Sequence, residues 1–218
     1  DSQIGWALAD ASDAFGPATA VLKTTDGGAT WSSPAPLRSG RSLDFVDTQT
    51  GWAAGYSGSI AKTSDGGATW VGQSSPVTAT LNAVDFVDAR TGWAAGENGA
   101  IVKTTDGGAI WTSQAYRAPD VRFFAVAPLE NLGGYSYAVG ALGNAASMYP
   151  GSDWFHHVTG ATDTLYGLAF QPPWWFPQQG WAVGANGTIL KTADGGGHWL
   201  RASPGISDTL YSVALGGG

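Results

Sequence analysis

One phrase recurs through this chain and constrains it more than any single residue. It reads Lys23-Thr-Thr-Asp-Gly-Gly-Ala-Thr-Trp31, Lys62-Thr-Ser-Asp-Gly-Gly-Ala-Thr-Trp70, Lys103-Thr-Thr-Asp-Gly-Gly-Ala-Ile-Trp111 and Lys191-Thr-Ala-Asp-Gly-Gly-Gly-His-Trp199. Self-similarity at a fixed period means that each unit buries its apolar face against a copy of itself. A second landmark precedes each phrase: Gly5-Trp-Ala-Leu-Ala, Gly51-Trp-Ala-Ala-Gly, Gly92-Trp-Ala-Ala-Gly and Gly180-Trp-Ala-Val-Gly, with Tyr135-Ser-Tyr-Ala-Val-Gly140 as a worn copy. From Trp6 through Trp52, Trp93, Tyr137 and Trp181 the steps are 46, 41, 44 and 44 residues.

Each unit reads as four short strands. An apolar stretch such as Leu81-Asn-Ala-Val-Asp-Phe86 comes first and the Gly-Trp strand second. A strand ending in the Asp-Gly-Gly turn follows, and the last begins near the final Trp. Four strands in about 43 residues is the period of a propeller blade. The chain ends on Leu210-Tyr-Ser-Val-Ala-Leu215, a first strand without its successors, and begins on a Gly-Trp strand without its predecessor. Joining end to beginning gives a step of 43 residues from Trp181 to Trp6, matching the internal period. The expectation is therefore an all-β, five-bladed β-propeller of four-stranded blades, the first blade completed by the C-terminal strand. The units of this single domain are residues 1–36 plus 207–218, 37–77, 78–118, 119–160 and 161–206.

Composition narrows the partners. A net charge of -7 disfavours duplex nucleic acid, which calls for a basic face. Cysteine is missing, so disulfides and thiolate metal sites are unavailable. No apolar run approaches the roughly 20 residues of a membrane-spanning helix. Only 12% of residues are charged, and with the lack of thiols this leans towards an extracytoplasmic protein: periplasmic, lumenal or at the cell surface. The start at Asp1 fits a processed or trimmed form.

Most of the conspicuous residues serve the repeat. Asp26, Asp65, Asp106 and Asp194 can accept N–H groups of their own turns, and the glycines supply positive φ. Trp31, Trp70, Trp111 and Trp199 are large enough to fill gaps between blades. One Asp per turn cannot assemble the six to eight oxygens of a calcium site. The lysines at 23, 62, 103 and 191 share one position, which a solvated strand end or an intrablade pair explains. His156 and His157 are adjacent on a strand and point to opposite faces, against a two-histidine metal site. No cofactor is expected.

Ser/Thr-x-Asp-x-Gly-x-Thr-Trp is the Asp-box (BNR) signature, carried in full by Thr63 to Trp70. The longer pattern from Gly92 to Trp111 and from Gly180 to Trp199 resembles the photosystem II assembly/stability-factor type of propeller. The resemblance implies a propeller and a binding or assembly role. That family's propellers have seven blades where this chain has room for five, and the fourth unit has Tyr149 in place of the box Asp. Asp boxes also occur in sialidases, but no Arg-Ile-Pro segment is present and the only glutamates are Glu97 and Glu130. No carboxylate pair is singled out for glycoside hydrolysis.

Function grafted on a scaffold belongs where the units differ. Arg38, Arg41, Arg117, Arg122 and Arg201 fall in or near the links between units, a basic rim suited to carboxylates or an acidic partner. The alternative is surface arginines neutralised by local acids such as Asp44 and Asp120. Gln171-Pro-Pro-Trp-Trp-Phe-Pro-Gln178 carries Trp174, Trp175 and Phe176 outside the repeat, either as a contact loop or as a cap on the propeller's end. A long loop, Asp10 to Pro17, stands where other units have short Asn-Gly turns. The expectation is a non-enzymatic module docking onto a larger protein complex. A carbohydrate-binding lectin is the alternative, and a glycosidase the third.

Overall fold

A computed structural model describes the chain except residues 1–2, 14–15, 34–35, 38, 115, 117–119, 130–134, 150–151, 172–178, 203 and 216–218. It is all-β, with five antiparallel sheets in sequence order. The first holds β1 (Gly5–Asp13), β2 (Gly16–Thr24) and β3 (Pro36–Leu37). The second holds β4 (Gly40–Phe45), β5 (Gly51–Gly55), β6 (Ile60–Thr63) and β7 (Val71–Gln73). The third holds β8 (Leu81–Phe86), β9 (Gly92–Gly96), β10 (Ile101–Thr104) and β11 (Thr112–Ser113). The fourth runs through β12 (Phe123–Leu129), β13 (Tyr135–Gly140), β14 (Asn144–Met148) and β15 (Trp154–Val158). The fifth is β16 (Leu165–Phe170), β17 (Gly180–Gly184), β18 (Ile189–Thr192) and β19 (Leu200–Ala202). Each is a plain meander, neighbours in sequence being neighbours in the sheet. No described helix is long and apolar enough to cross a membrane.

The chain divides into two compact units, residues 1–94 with 102–113, and residues 95–101 with 114–218. In the first, Val21, Leu37 and Ala53 are buried together, with Trp6, Leu8 and Leu43 packed against them. In the second, Val139, Ala145, Leu165, Ala182 and Leu190 form the corresponding core.

One packing device repeats. The Gly-Trp indole of one sheet stacks on the Phe that ends the first strand of the next. Trp6 lies 3.8 Å from Phe45 and Trp52 lies 3.6 Å from Phe86, both nearly parallel. The box Trp of that second sheet then meets the same Phe edge-on, Trp70 on Phe45 and Trp111 on Phe86. In the second unit Tyr137 stacks on Phe170 at 4.2 Å and Trp199 meets that ring at 6.2 Å. The glycines before Trp52, Trp93 and Trp181 leave room for the Phe ring of their own sheet: a Cβ on Gly92 would stand 2.4 Å from Phe86 carbons.

One expectation is not confirmed and another needs correction. Among the described residues the first sheet has three strands, and Leu210–Leu215 is not paired as a strand. Its hydrogen bonds go to the sheet it leaves: Leu210 N–H donates to Gly184 O at 3.0 Å, and Gly187 N–H donates to Asp208 O at 2.8 Å. The Tyr211 ring lies 5.3 Å from Tyr166. Asp10 to Asp13 and Gly16 to Pro17 are strand and not loop. β1 and β2 stay in antiparallel register out to Asp13 opposite Gly16.

Candidate functional site

The Asp-Gly-Gly turns are closed hydrogen-bond systems whose centre is a threonine. Thr63 is 1% exposed, donates to Asp65 Oδ1 at 2.8 Å and accepts the Gly67 N–H at 2.9 Å. Asp65 also accepts the Thr69 N–H at 2.8 Å and the Thr69 hydroxyl at 2.6 Å. These bonds, the Thr69 hydroxyl foremost, hold the Asp65 carboxyl down to about 2, and Thr30 does the same for Asp26. Asp106 faces Ile110, which gives only its backbone N–H at 2.9 Å. Asp194 has His198 instead, with Nδ1 2.6 Å from Oδ2. The aspartates are thus committed to their own turns. Among the described residues no group of three or more His, Asp or Glu could hold a metal ion.

Sequence reasoning passed over Thr24, Thr63, Thr104 and Thr192, although their fixed place two residues before each Asp was the available signal. It also misjudged the lysines. Lys23 Nζ donates 3.0 Å to Gly66 O of the next box, and Trp6 Nε1 donates to the same carbonyl at 3.0 Å. Lys62 Nζ and Trp52 Nε1 both reach Gly107 O at 3.2 Å. Each ammonium also sits over its own strand partner's indole, 5.3 Å above Trp6 and 4.8 Å above Trp52. The lysine links successive units because its stem spans the indole while its head finds a carbonyl of the neighbouring turn. Trp31 is 47% exposed, whereas Trp111 is buried and donates to Gln73 Oε1 at 3.1 Å. His156 Nε2 meets Asn144 Oδ1 and His157 Nε2 meets Ser147 Oγ, each at 2.6 Å, so the two imidazoles have separate polar partners.

Of the carboxylates, Asp44 acts on Asp85. Asp44 Oδ2 accepts the Phe86 N–H at 2.8 Å, and Ser42 Oγ accepts the Val84 N–H at 3.2 Å. Side chains of β4 thereby satisfy backbone donors of β8. Burial raises Asp44, and burial followed by the Asp44 charge raises Asp85 well above the usual carboxylate range. Among the described residues Asp44 pairs with no arginine. Glu97 sits in a tight turn after β9, and Glu130 lies outside the described residues.

The arginines separate. Arg38 and Arg117 lie outside the described residues, as do Trp174, Trp175 and Phe176. Arg201 pairs with Asp163 at 3.2 Å and donates to Thr188 Oγ1 at 3.0 Å. Arg122 is exposed, and its backbone carbonyl accepts the Ala141 N–H at 2.8 Å. Arg41 differs from both. It donates to Tyr56 Oη at 2.9 Å, and its guanidinium carbon lies 5.1 Å from that ring's centre. Among the described residues it has no acidic partner. Arg41 and Tyr56 line a cavity of about 300 Å³ with Leu8, Ala9, Thr19 and Gly40. Leu8, Ala9 and Thr19 belong to the long β1–β2 hairpin, so two departures from the repeat meet in one cavity: the unit-linking arginine and the lengthened hairpin.

Residues 38–113, the second and third sheets with Arg41 among them, match the family model described as photosynthesis system II assembly factor YCF48. A search of curated proteins gave no match. Among solved structures the chain is similar to YCF48 bound to D1 peptide, with 21% identity and a TM-score of 0.67, over 95% of this chain and 66% of that one. YCF48 from Cyanidioschyzon merolae is 18% identical with a TM-score of 0.51, over 88% of this chain and 82% of that one. The GH74 xyloglucanase from Xanthomonas campestris is 15% identical with a TM-score of 0.68, over 94% of this chain and 37% of that one. The chain thus spans about two thirds of the peptide-bound YCF48 chain and little more than a third of the xyloglucanase. At these identities the likeness to solved structures is one of fold. Over the matched residues the chain carries the BNR propeller repeat of the photosystem II assembly-factor type.

Proposed function

We propose that this protein is a non-catalytic docking module that binds an acidic peptide segment of a larger complex outside the cytoplasm, with Arg41 as its anchor. The observation that carries this is an arginine without an acidic partner among the described residues, pre-oriented by Tyr56 in a cavity of about 300 Å³. A guanidinium held by a neutral hydroxyl and an aromatic face keeps its remaining donors for a carboxylate. The family match over residues 38–113, and a structural neighbour bound to a peptide, support the same class of role. Against catalysis, the Asp44 carboxylate is engaged by the Phe86 N–H of the neighbouring strand, and Asp85 is raised by burial and by the Asp44 charge. We further assign the Trp174–Phe176 loop as a second contact, and Leu210–Leu215 as the strand that completes the first sheet of a five-bladed ring. The support for the latter is repeat equivalence, Thr164-Leu-Tyr-Gly-Leu-Ala-Phe170 against Thr209-Leu-Tyr-Ser-Val-Ala-Leu215.

The test is capture from native membrane extract by the wild type, by Arg41→Ala and by Trp174→Ala/Trp175→Ala. A protein complex retained by the wild type and lost with Arg41→Ala supports the assignment. Retention undiminished by Arg41→Ala overturns it for this cavity, and glycan capture in place of protein favours the lectin alternative.

A further inference from the structure

Beside the Arg41 cavity lies a second, smaller one of about 170 Å³, and Gly40 lines both. Its wall is mostly apolar: Leu37, Ala53, Ala54, Ile60, Ala61 and Gly72 contribute to it beside Ser39 and Ser59. Ala53, Ala54 and Ile60 are buried, while Gly72 is exposed at its margin. The cavity exists because of two residues. Ala61 faces Gly72 across β6 and β7, where the same register in other sheets holds Val102 with Ser113 and Leu190 with Arg201. A Cβ built on Gly72 meets no atom within 4 Å. Among the described pairs only the second sheet places two very small residues at that position, and this sheet also presents Arg41.

We infer that the small cavity selects an aliphatic side chain adjacent to the acidic residue held by Arg41, so that the site takes a peptide pairing Val, Ile or Leu with Asp or Glu. The inference rests on the docking role proposed for Arg41. A dry apolar cavity of about 150 Å³ accommodates a benzene-sized molecule, so one of about 170 Å³ holds a branched four-carbon chain and is too small for an indole. The neighbouring guanidinium supplies the charge that fixes such a peptide's direction. Burying an isobutyl group gives roughly a tenfold gain in affinity over glycine at the same place.

The experiment uses acetylated, amidated tetrapeptides Ala-Xaa-Asp-Ala and Ala-Asp-Xaa-Ala with Xaa Gly, Val, Leu or Trp. Binding is followed by NMR of the Ala53, Ala61 and Ile60 methyl groups and of the Arg41 side chain. The expected result is roughly tenfold tighter binding for Leu or Val than for Gly in one of the two orders, with Trp losing the gain and both sets of signals shifting together. In Ala61→Leu, which places at this register the residue Leu190 provides in the fifth sheet, the preference for Leu over Gly falls to about one while Arg41 still responds. Equal affinity for Gly and Leu with Arg41 shifting overturns the aliphatic pocket and leaves the docking role intact. No response of Arg41 to any peptide overturns both.

Discussion

Leu142 occupies the left-handed region at φ 55, the position taken by Ser57, Asn98 and Asn186 in the other sheets, and is 73% exposed. A leucine there strains the backbone without gaining burial, while Asn adopts this conformation readily. Leu142→Asn is expected to raise stability by roughly 1 kcal/mol, seen as a higher thermal midpoint. Thr63 makes the opposite case. Thr63→Val keeps the shape but strips the buried hydroxyl that serves both Asp65 and the Gly67 N–H. A loss of about 1–3 kcal/mol follows from leaving those groups unsatisfied. The Asp65 carboxyl then titrates above its present value of about 2, which carboxyl-carbon NMR reads directly.

At the scale of elements, strands bring carboxylates of opposite character together. Asp26 and Asp65 are held low by bonds within their turns, so their contribution is present above the unfolded value of about 4 and is lost as pH falls towards about 2. Asp85 on β8 has the reverse sign. Its folded form holds its proton more tightly than the unfolded one, because burial and then the Asp44 charge raise it. It therefore weakens the fold increasingly as pH rises above about 4. Asp85→Asn should stabilise the protein near neutral pH and change little below pH about 4, a crossover that denaturant unfolding at several pH values resolves. A uniform effect across pH would refute the charge argument. Hydrogen bonds between sheets show the same economy: the carbonyls of Gly66 and Gly107 each receive both the Trp and the Lys of the preceding unit.

At the scale of the whole molecule, β1 has no described strand on the side where β4, β8, β12 and β16 begin the other sheets. In the fifth sheet Leu168 lies opposite Ala182. The repeat equivalent of that pair is Val213 with Ala7. A chain with no cysteine of its own makes the test clean: Ala7→Cys/Val213→Cys oxidises to an intramolecular disulfide if the C-terminal strand completes the first sheet. A disulfide between two molecules indicates exchange of that strand between copies. Failure to oxidise counts against completion of the sheet.

The sequence by itself determined the meander of each sheet, since Asp-Gly-Gly turns, Gly-Trp strands and their period are local signals that turn chemistry and alternation specify. It also offered Arg41 as one of five arginines near the links between units, without setting it apart from the other four. Other features were decided only by tertiary structure. Lys23 and Lys62 bond to the next unit's turn, a partner 43 and 45 residues away that no local pattern names. Asp10 to Asp13 pair with Gly16 to Thr19 because cross-strand bonding overrides a turn-like composition. The cavity beside Arg41 follows from Ala61 facing Gly72, and whether two small residues leave a void depends on what packs over them. Local propensity fixes turns and strands; which side chains share a space is set by how sheets stack, and that is information the chain holds only once folded.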